Sequence, residues 1–125
     1  MKIILVAHGQ LASGFLQALE LITGDSTGVQ AIDFCEGTTV KQLEEALEQE
    51  VLGQESVLFL SDLMVGIPFK SIGVVQEKFP NVESRLVTGL NLSMLLEANF
   101  LKLNSDLDEL VSKLVNNGKN AIQSL

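Results

Sequence analysis

The chain opens with a short apolar run, Ile3-Ile4-Leu5-Val6-Ala7, that ends at His8-Gly9. A continuous run of this length, rich in β-branched residues, is typical of a strand buried on both faces of a sheet. From Leu11 to Ile22 the apolar residues recur at helical spacing, and Gly24 follows as a stop signal. The stretch therefore predicts a β-strand followed by an α-helix.

The same alternation continues to the end of the chain. Further strands are predicted at 29–34, 57–60 and 85–88, and helices at 40–51, 68–78, 92–101 and after 105. Capping residues mark the helix starts: a capping box of Thr39 and Gln42, and N-cap residues Asn91 and Ser105. Alternation of this kind predicts an α/β fold: a doubly wound, mainly parallel four-stranded sheet with helices on both faces, in a single domain over residues 1–125.

Composition limits the class of protein. The 125 residues are 46% apolar, and 8 basic residues against 16 acidic ones give a net charge of −8, which repels nucleic acid and anionic lipid. No apolar run approaches the roughly 20 residues of a membrane helix, and the apolar start is too short for a signal peptide. The single cysteine, Cys35, cannot form an intrachain disulfide and fits a reducing compartment. We expect a soluble cytosolic protein.

Two residues at the predicted carboxyl end of the sheet could perform chemistry. Ligands of doubly wound sheets bind at this edge. His8, the only histidine, follows the first strand, and Asp62 follows the third. If these strands are neighbours, the carboxylate can hold one ring nitrogen and leave the other as a nucleophile. The alternatives are that His8 is an ordinary packed residue and that Asp62 caps a turn.

Residues around this pair could hold an anion. Gly9 allows close backbone approach, and Gly66 with Ile67 leads into a helix whose free N–H groups would face the crevice, as would those of the first helix. Such a constellation can carry a phosphoryl group on the imidazole. No G-x-G-x-x-G, Walker or zinc-site pattern is present, so we expect no cofactor and no metal, although a carboxylate-only site for a hard metal remains open. Cys35 is expected to be buried. The apolar loop residues would either form a docking surface or fold inward: Leu63, Met64, Val65 and Ile67.

Three stretches of the chain resemble one family. They are Ile4-Leu5-Val6-Ala7-His8-Gly9, Leu58-Phe59-Leu60-Ser61-Asp62 with Gly66-Ile67-Pro68-Phe69, and Gly89-Leu90-Asn91-Leu92-Ser93-Met94-Leu95-Leu96-Glu97. Together they are similar to the IIA component of the mannose/fructose/sorbose-type phosphoenolpyruvate-dependent sugar phosphotransferase system. The resemblance implies that His8 accepts a phosphoryl group on Nε2 from phospho-HPr and passes it to a IIB component. It also implies that Asp62 bonds the other ring nitrogen, and that the protein is cytoplasmic and reaches the membrane through the IIC and IID components.

The chain departs from the family pattern at three places. Ala7 stands where the family often has a hydroxyl residue, and Ile67 stands where it often has serine, so only the backbone N–H at 67 could contact the phosphate. The sequence ends at Leu125, soon after the last predicted helix, which leaves few residues for the exchanged strand of family homodimers; a homodimer is therefore left open. The alternatives are the phosphotransfer subunit of dihydroxyacetone kinase, a regulatory domain read by phosphorylation, and a tetrapyrrole chelatase.

Overall fold

Strands and helices alternate along the chain in the computed structural model, which describes residues 1–125. The elements are β1 (Lys2–His8), α1 (Leu11–Thr23), β2 (Val29–Phe34), α2 (Val40–Val51), β3 (Ser56–Ser61), α3 (Ile67–Lys78), β4 (Glu83–Val87), α4 (Leu92–Leu101) and α5 (Leu107–Asn120). The strands lie in the order β2-β1-β3-β4, and every pair is parallel. The predicted four-stranded α/β fold is confirmed.

Strand β1 lies in the middle of the sheet and explains the continuous apolar run. Its core residues, 3–7, have no exposed surface. Successive side chains of a strand point to opposite faces. Ile3, Leu5 and Ala7 therefore pack with α1, α4 and α5, whereas Ile4 and Val6 pack with α2 and α3. Both faces of the sheet are covered by helices, as the doubly wound prediction requires.

The carboxyl ends of β1 and β3 form the switch point of the sheet. The chain moves outward from β1 to β2 in one direction and from β3 to β4 in the other. Connections that leave in opposite directions open a crevice between the two central strands. Val6 pairs with Ser61 across these strands, so His8, two residues after Val6, and Asp62, one residue after Ser61, come to the same edge. The topology thus brings together the two residues that the sequence singled out.

Local sequence patterns account for several helix boundaries. The Thr39 hydroxyl accepts a hydrogen bond from the Gln42 amide at 3.0 Å, and the Gln42 side chain accepts one from the Thr39 amide at 3.0 Å. Asn91 caps α4 by accepting from the backbone N–H of Met94 at 2.9 Å. Gly24 ends α1 with a φ of 73°, a left-handed conformation that favours glycine. These three predictions are confirmed.

Several predicted boundaries are wrong by one or two residues. Strand β3 is longer than the predicted 57–60 by one residue at each end, and α3 begins at Ile67 rather than at 68. Strand β4 spans Glu83–Val87 rather than 85–88, because its pairing with β3 begins at Ser56 opposite Glu83. Polar side chains are tolerated there because β4 is an edge strand. Helix α5 is capped by Asp106, which accepts from the Glu109 N–H at 2.8 Å, rather than by Ser105. No helix combines the length and apolar character that crossing a membrane needs.

Candidate active site

His8 is the last residue of β1, and its ring stands at the open carboxyl edge of the sheet. The chain turns immediately after it: Gly9 has a φ of 61° and donates its N–H to the Phe34 carbonyl at 2.8 Å. The rings of His8 and Phe34 pack edge to face, with their centroids 6.3 Å apart. The side chain of His8 is 43% exposed. It is therefore held on one side and accessible from solvent on the other.

Asp62 follows β3 and holds the back of the imidazole. Its Oδ2 lies 2.9 Å from Nδ1 of His8 and accepts the backbone N–H of His8 at 3.1 Å. Its Oδ1 accepts the N–H of Leu63 at 2.9 Å. The predicted contact between this carboxylate and the ring is present. The side chain of Asp62 is only 12% exposed, so little of its surface is in contact with water.

The contacts of Asp62 determine how protons are distributed over the pair. Burial acts to raise the pKa of this carboxyl, but the hydrogen bonds from the ring and backbone of His8 and from Leu63 outweigh it, and the pKa lies below its usual 3.8. The carboxylate is therefore ionised at neutral pH and can only accept hydrogen bonds. Nδ1 of His8 must carry the proton, so Nε2 of the neutral ring keeps a lone pair.

The loop after β3 brings backbone against Nε2. Gly66 has a φ of 93°, and a Cβ placed on it would lie 3.1 Å from Nε2 and 3.3 Å from Cε1 of His8. Helix α3 begins at the next residue, Ile67, and has no side-chain cap. Its amino end thus meets the Nε2 side of the ring, and free N–H groups at a helix amino end attract anions. The side chain of Ile67 packs with the cluster between the sheet, α2 and α3, so only its backbone is available to the site.

At the amino end of the first helix, one of the N–H groups that were expected to be free already has an anionic partner. The carboxylate of Asp33, near the end of β2, accepts the backbone N–H of Ser13 at 3.0 Å and the Ser13 hydroxyl. An anionic partner already occupies this end of α1. Asp33 was not predicted as a site residue, because a carboxylate within a strand pattern only weakens the strand assignment. Its position near the strand end was the one available signal.

Cys35 and the apolar loop differ in their surroundings. Cys35 was expected to be buried, but it is partly exposed, with Sγ 3.4 Å from the Gly9 carbonyl, because β2 ends before it and the chain leaves the core. Leu63, Met64 and Val65 are exposed beside the site by 51%, 71% and 67%. These three residues form what we call the loop patch; Ile67 alone folds inward.

The site lies on an open surface. The one cavity in the structure, about 240 Å³, lies between β4, α4 and α5 and includes neither His8 nor Asp62 in its lining. No group of three His, Cys, Asp or Glu side chains is arranged to hold a metal ion. A ring that is exposed at an open edge, rather than enclosed in a cleft, suits a reacting group presented by another macromolecule.

Comparison with known proteins identifies the family. The family model described as "PTS system fructose IIA component" matches residues 2–115. The chain belongs to this family. It is 31% identical over 119 residues to the sorbose-specific EIIA component of Lacticaseibacillus casei, covering 92% of this chain and 83% of that one. IIA components of this kind belong to sugar phosphotransferase systems.

Two further relatives are similar to this chain over nearly its whole length. The crystal structure of phosphotransferase system component EIIA from Streptococcus agalactiae matches with a TM-score of 0.94 and 35% identity, covering 98% of this chain and 95% of that one. The mannose-specific EIIAB component of Escherichia coli (strain K12) is 28% identical over 98% of this chain. The chain spans only 39% of the length of that EIIAB protein.

Proposed function

We propose that the chain is a phosphocarrier that accepts a phosphoryl group from phospho-HPr on His8 and passes it to a IIB component during sugar uptake. The contact between Nδ1 of His8 and the ionised carboxylate of Asp62 carries this proposal, because it leaves Nε2 free to attack phosphorus. Family membership supports the sugar system over a dihydroxyacetone kinase subunit, a regulatory domain or a chelatase. The open surface around the ring favours a protein donor.

The proposed reaction exchanges one nitrogen–phosphorus bond for another. The lone pair of Nε2 attacks the phosphorus of the phosphohistidine of HPr, and the bond from phosphorus to the donor imidazole breaks with its electrons returning to that ring. Phosphorylated His8 carries positive charge on its ring, which the Asp62 carboxylate stabilises through the proton on Nδ1. The backbone at Gly9, Gly66 and Ile67 would surround the phosphoryl oxygens. Transfer to the IIB component repeats the exchange, with His8 as the leaving group.

The proposal assigns the whole of residues 1–125 to the IIA unit. HPr and the IIB component would dock in turn on the edge that carries His8, so the two complexes exclude each other. The IIC and IID components would be reached through IIB. The protein would therefore work in the cytoplasm and lie at the membrane only through its partners. A second copy of the chain is not needed for the reaction, since His8 and Asp62 belong to one protomer.

The direct test is phosphorylation of the purified chain by phosphoenolpyruvate, enzyme I and HPr. We expect intact mass to rise by one phosphoryl group, in a modification that is stable to base and labile to acid. His8→Ala should abolish it, and Gln10→Ala, which changes an exposed neighbour, should not. Labelling that persists in His8→Ala would remove the basis of the proposal.

The role of Asp62 can be tested separately with Asp62→Asn. Transfer should slow by at least about 10- to 100-fold, the loss seen when a carboxylate behind a metal-bound imidazole is removed. Because the pKa of Asp62 is lowered on folding, its charge contributes stability that is fully present above the usual value of 3.8 and is lost as pH falls through the lower folded value. Urea unfolding should therefore separate wild type from Asp62→Asn at pH 7 more than at pH 3. Unchanged transfer kinetics would contradict the assigned role.

A further inference from the structure

The end of strand β2 holds both sides of the short turn that carries His8. Only Gly9 and Gln10 separate β1 from α1. On the strand side of this turn, the N–H of Gly9 donates to the Phe34 carbonyl at 2.8 Å. On the helix side, the carboxylate of Asp33 accepts two hydrogen bonds from Ser13, one from its backbone and one from its hydroxyl. The path of the chain through His8 is therefore fixed from β2 as well as from Asp62.

Asp33 supplies the amino-terminal cap that the residues of α1 itself do not provide. Gln10 occupies the N-cap position and makes no side-chain capping bond. Helix amino ends leave N–H groups unpaired and carry partial positive charge, so a carboxylate there is stabilising. Asp33 supplies this carboxylate from a distance of 20 residues in the sequence. Asp33 therefore caps the helix through a tertiary contact and is not itself a residue of the helix's first turn.

Asp33 and the imidazole of His8 lie on opposite faces of the sheet. It lies opposite Ala7 in the register, on the face that α1 covers, whereas Phe34 lies opposite His8 and contacts the ring from the other face. Gly66 approaches Nε2 on that second face. The carboxylate of Asp33 therefore places a negative charge at the amino end of α1. The amino end of α3, which lies beside Nε2, has no side-chain cap.

We infer that Asp33 is a positioning residue for phosphoryl transfer at His8: it fixes the His8 turn through Ser13 and closes the amino end of α1 to anions. This inference rests on the proposed function. A phosphoryl group on Nε2 then has one helix end to interact with, that of α3, and is not drawn toward α1. Since a misplacement of about 1 Å can cost a reaction about 100-fold, a fixed turn and a single anion site both affect the transfer rate.

Binding of inorganic phosphate tests whether Asp33 closes α1. Amide signals of 11–13, followed by NMR during titration with inorganic phosphate, should stay unmoved in wild type. In Asp33→Asn, which keeps an acceptor for Ser13 but loses the charge, they should shift less than in Asp33→Ala. They should shift with saturation in Asp33→Ala. The matched control is Asp106→Ala, which removes the equivalent carboxylate from the amino end of α5 and should free amides 107–109 instead. Wild-type amides 11–13 that respond to phosphate, or an Asp33→Ala variant that behaves as wild type, would overturn the inference.

The rate of transfer from phospho-HPr tests the positioning role. Measured per folded molecule, the rate should fall about 10- to 100-fold in Asp33→Ala, return to within about twofold of wild type in Asp33→Asn, and stay unchanged in Asp106→Ala. Ser13→Ala, which removes only the hydroxyl bond, should give an intermediate rate and serves if Asp33→Ala fails to fold. Equal rates in Asp33→Ala or Ser13→Ala and wild type would refute the role. If wild type itself is not phosphorylated, the proposed function fails, while the phosphate titration still reports on α1.

Discussion

Gly66 shows at the scale of one residue how the site depends on an absent side chain. Its φ of 93° is strained for any residue with a Cβ, and that Cβ would lie 3.1 Å from Nε2 of His8. We expect Gly66→Ala to lose roughly 1 kcal/mol of stability or more and to reduce phosphorylation of His8 at least tenfold. Gly53→Ala is the matched control, because Gly53 has a φ of 79° with nothing within 4 Å of its Cβ position. Urea unfolding and the phosphorylation rate should separate the two: both variants lose stability, and only Gly66→Ala loses activity. Equal activity in the two would mean that Gly66 serves the turn alone.

Individual residues also differ in how well the sequence predicts them. His8 and Asp62 could be paired because each follows a predicted strand, and parallel strands end at one edge. The contact of Asp33 with Ser13 could not be predicted, because it depends on how α1 is set against β2. The burial of Cys35 was misjudged although the strand was correctly predicted to end at Phe34, because the exposure of a residue in the following loop depends on how that loop packs. Contacts that follow from strand order were predictable, and contacts that depend on packing between elements were not.

At the scale of elements, boundaries set by local bonding were predictable and those set by pairing were not. The capping box of α2 and the Asn91 cap of α4 involve residues three apart, so the sequence contains the whole interaction. The start of β4 depends on hydrogen bonds to β3, which a polar edge sequence does not reveal. For α5, two adjacent residues could both cap, and the choice of Asp106 places Leu107, Leu110 and Leu114 against the core.

The two ends of the whole molecule differ in what they expose. The carboxyl edge of the sheet presents His8 together with the loop patch. At the far end, Phe100 and Leu103 are 81% and 83% exposed, near the loop before β2 that Asn99 and Lys102 hold by hydrogen bonds. Both ends therefore offer apolar side chains, but only the carboxyl edge places them beside the exposed imidazole of His8. The sequence predicted the loop patch as one of two alternatives, since exposure of a loop follows from tertiary structure alone.

Because the two ends differ in this way, docking of phospho-HPr can be tested separately from the phosphorylation of His8. If the loop patch contacts phospho-HPr, Met64→Ser with Val65→Ser should raise KM for phospho-HPr about tenfold, which corresponds to about 1.4 kcal/mol of lost apolar contact. The kcat and the rate of phosphorylation by phosphoramidate, a small donor that needs no docking surface, should not change. Phe100→Ser with Leu103→Ser removes side chains that are at least as exposed at the far end and should leave all three quantities unchanged. A similar rise in KM in both double variants would indicate a general loss of surface apolarity, and slower reaction with phosphoramidate in the first would show that the patch supports His8 itself rather than a partner.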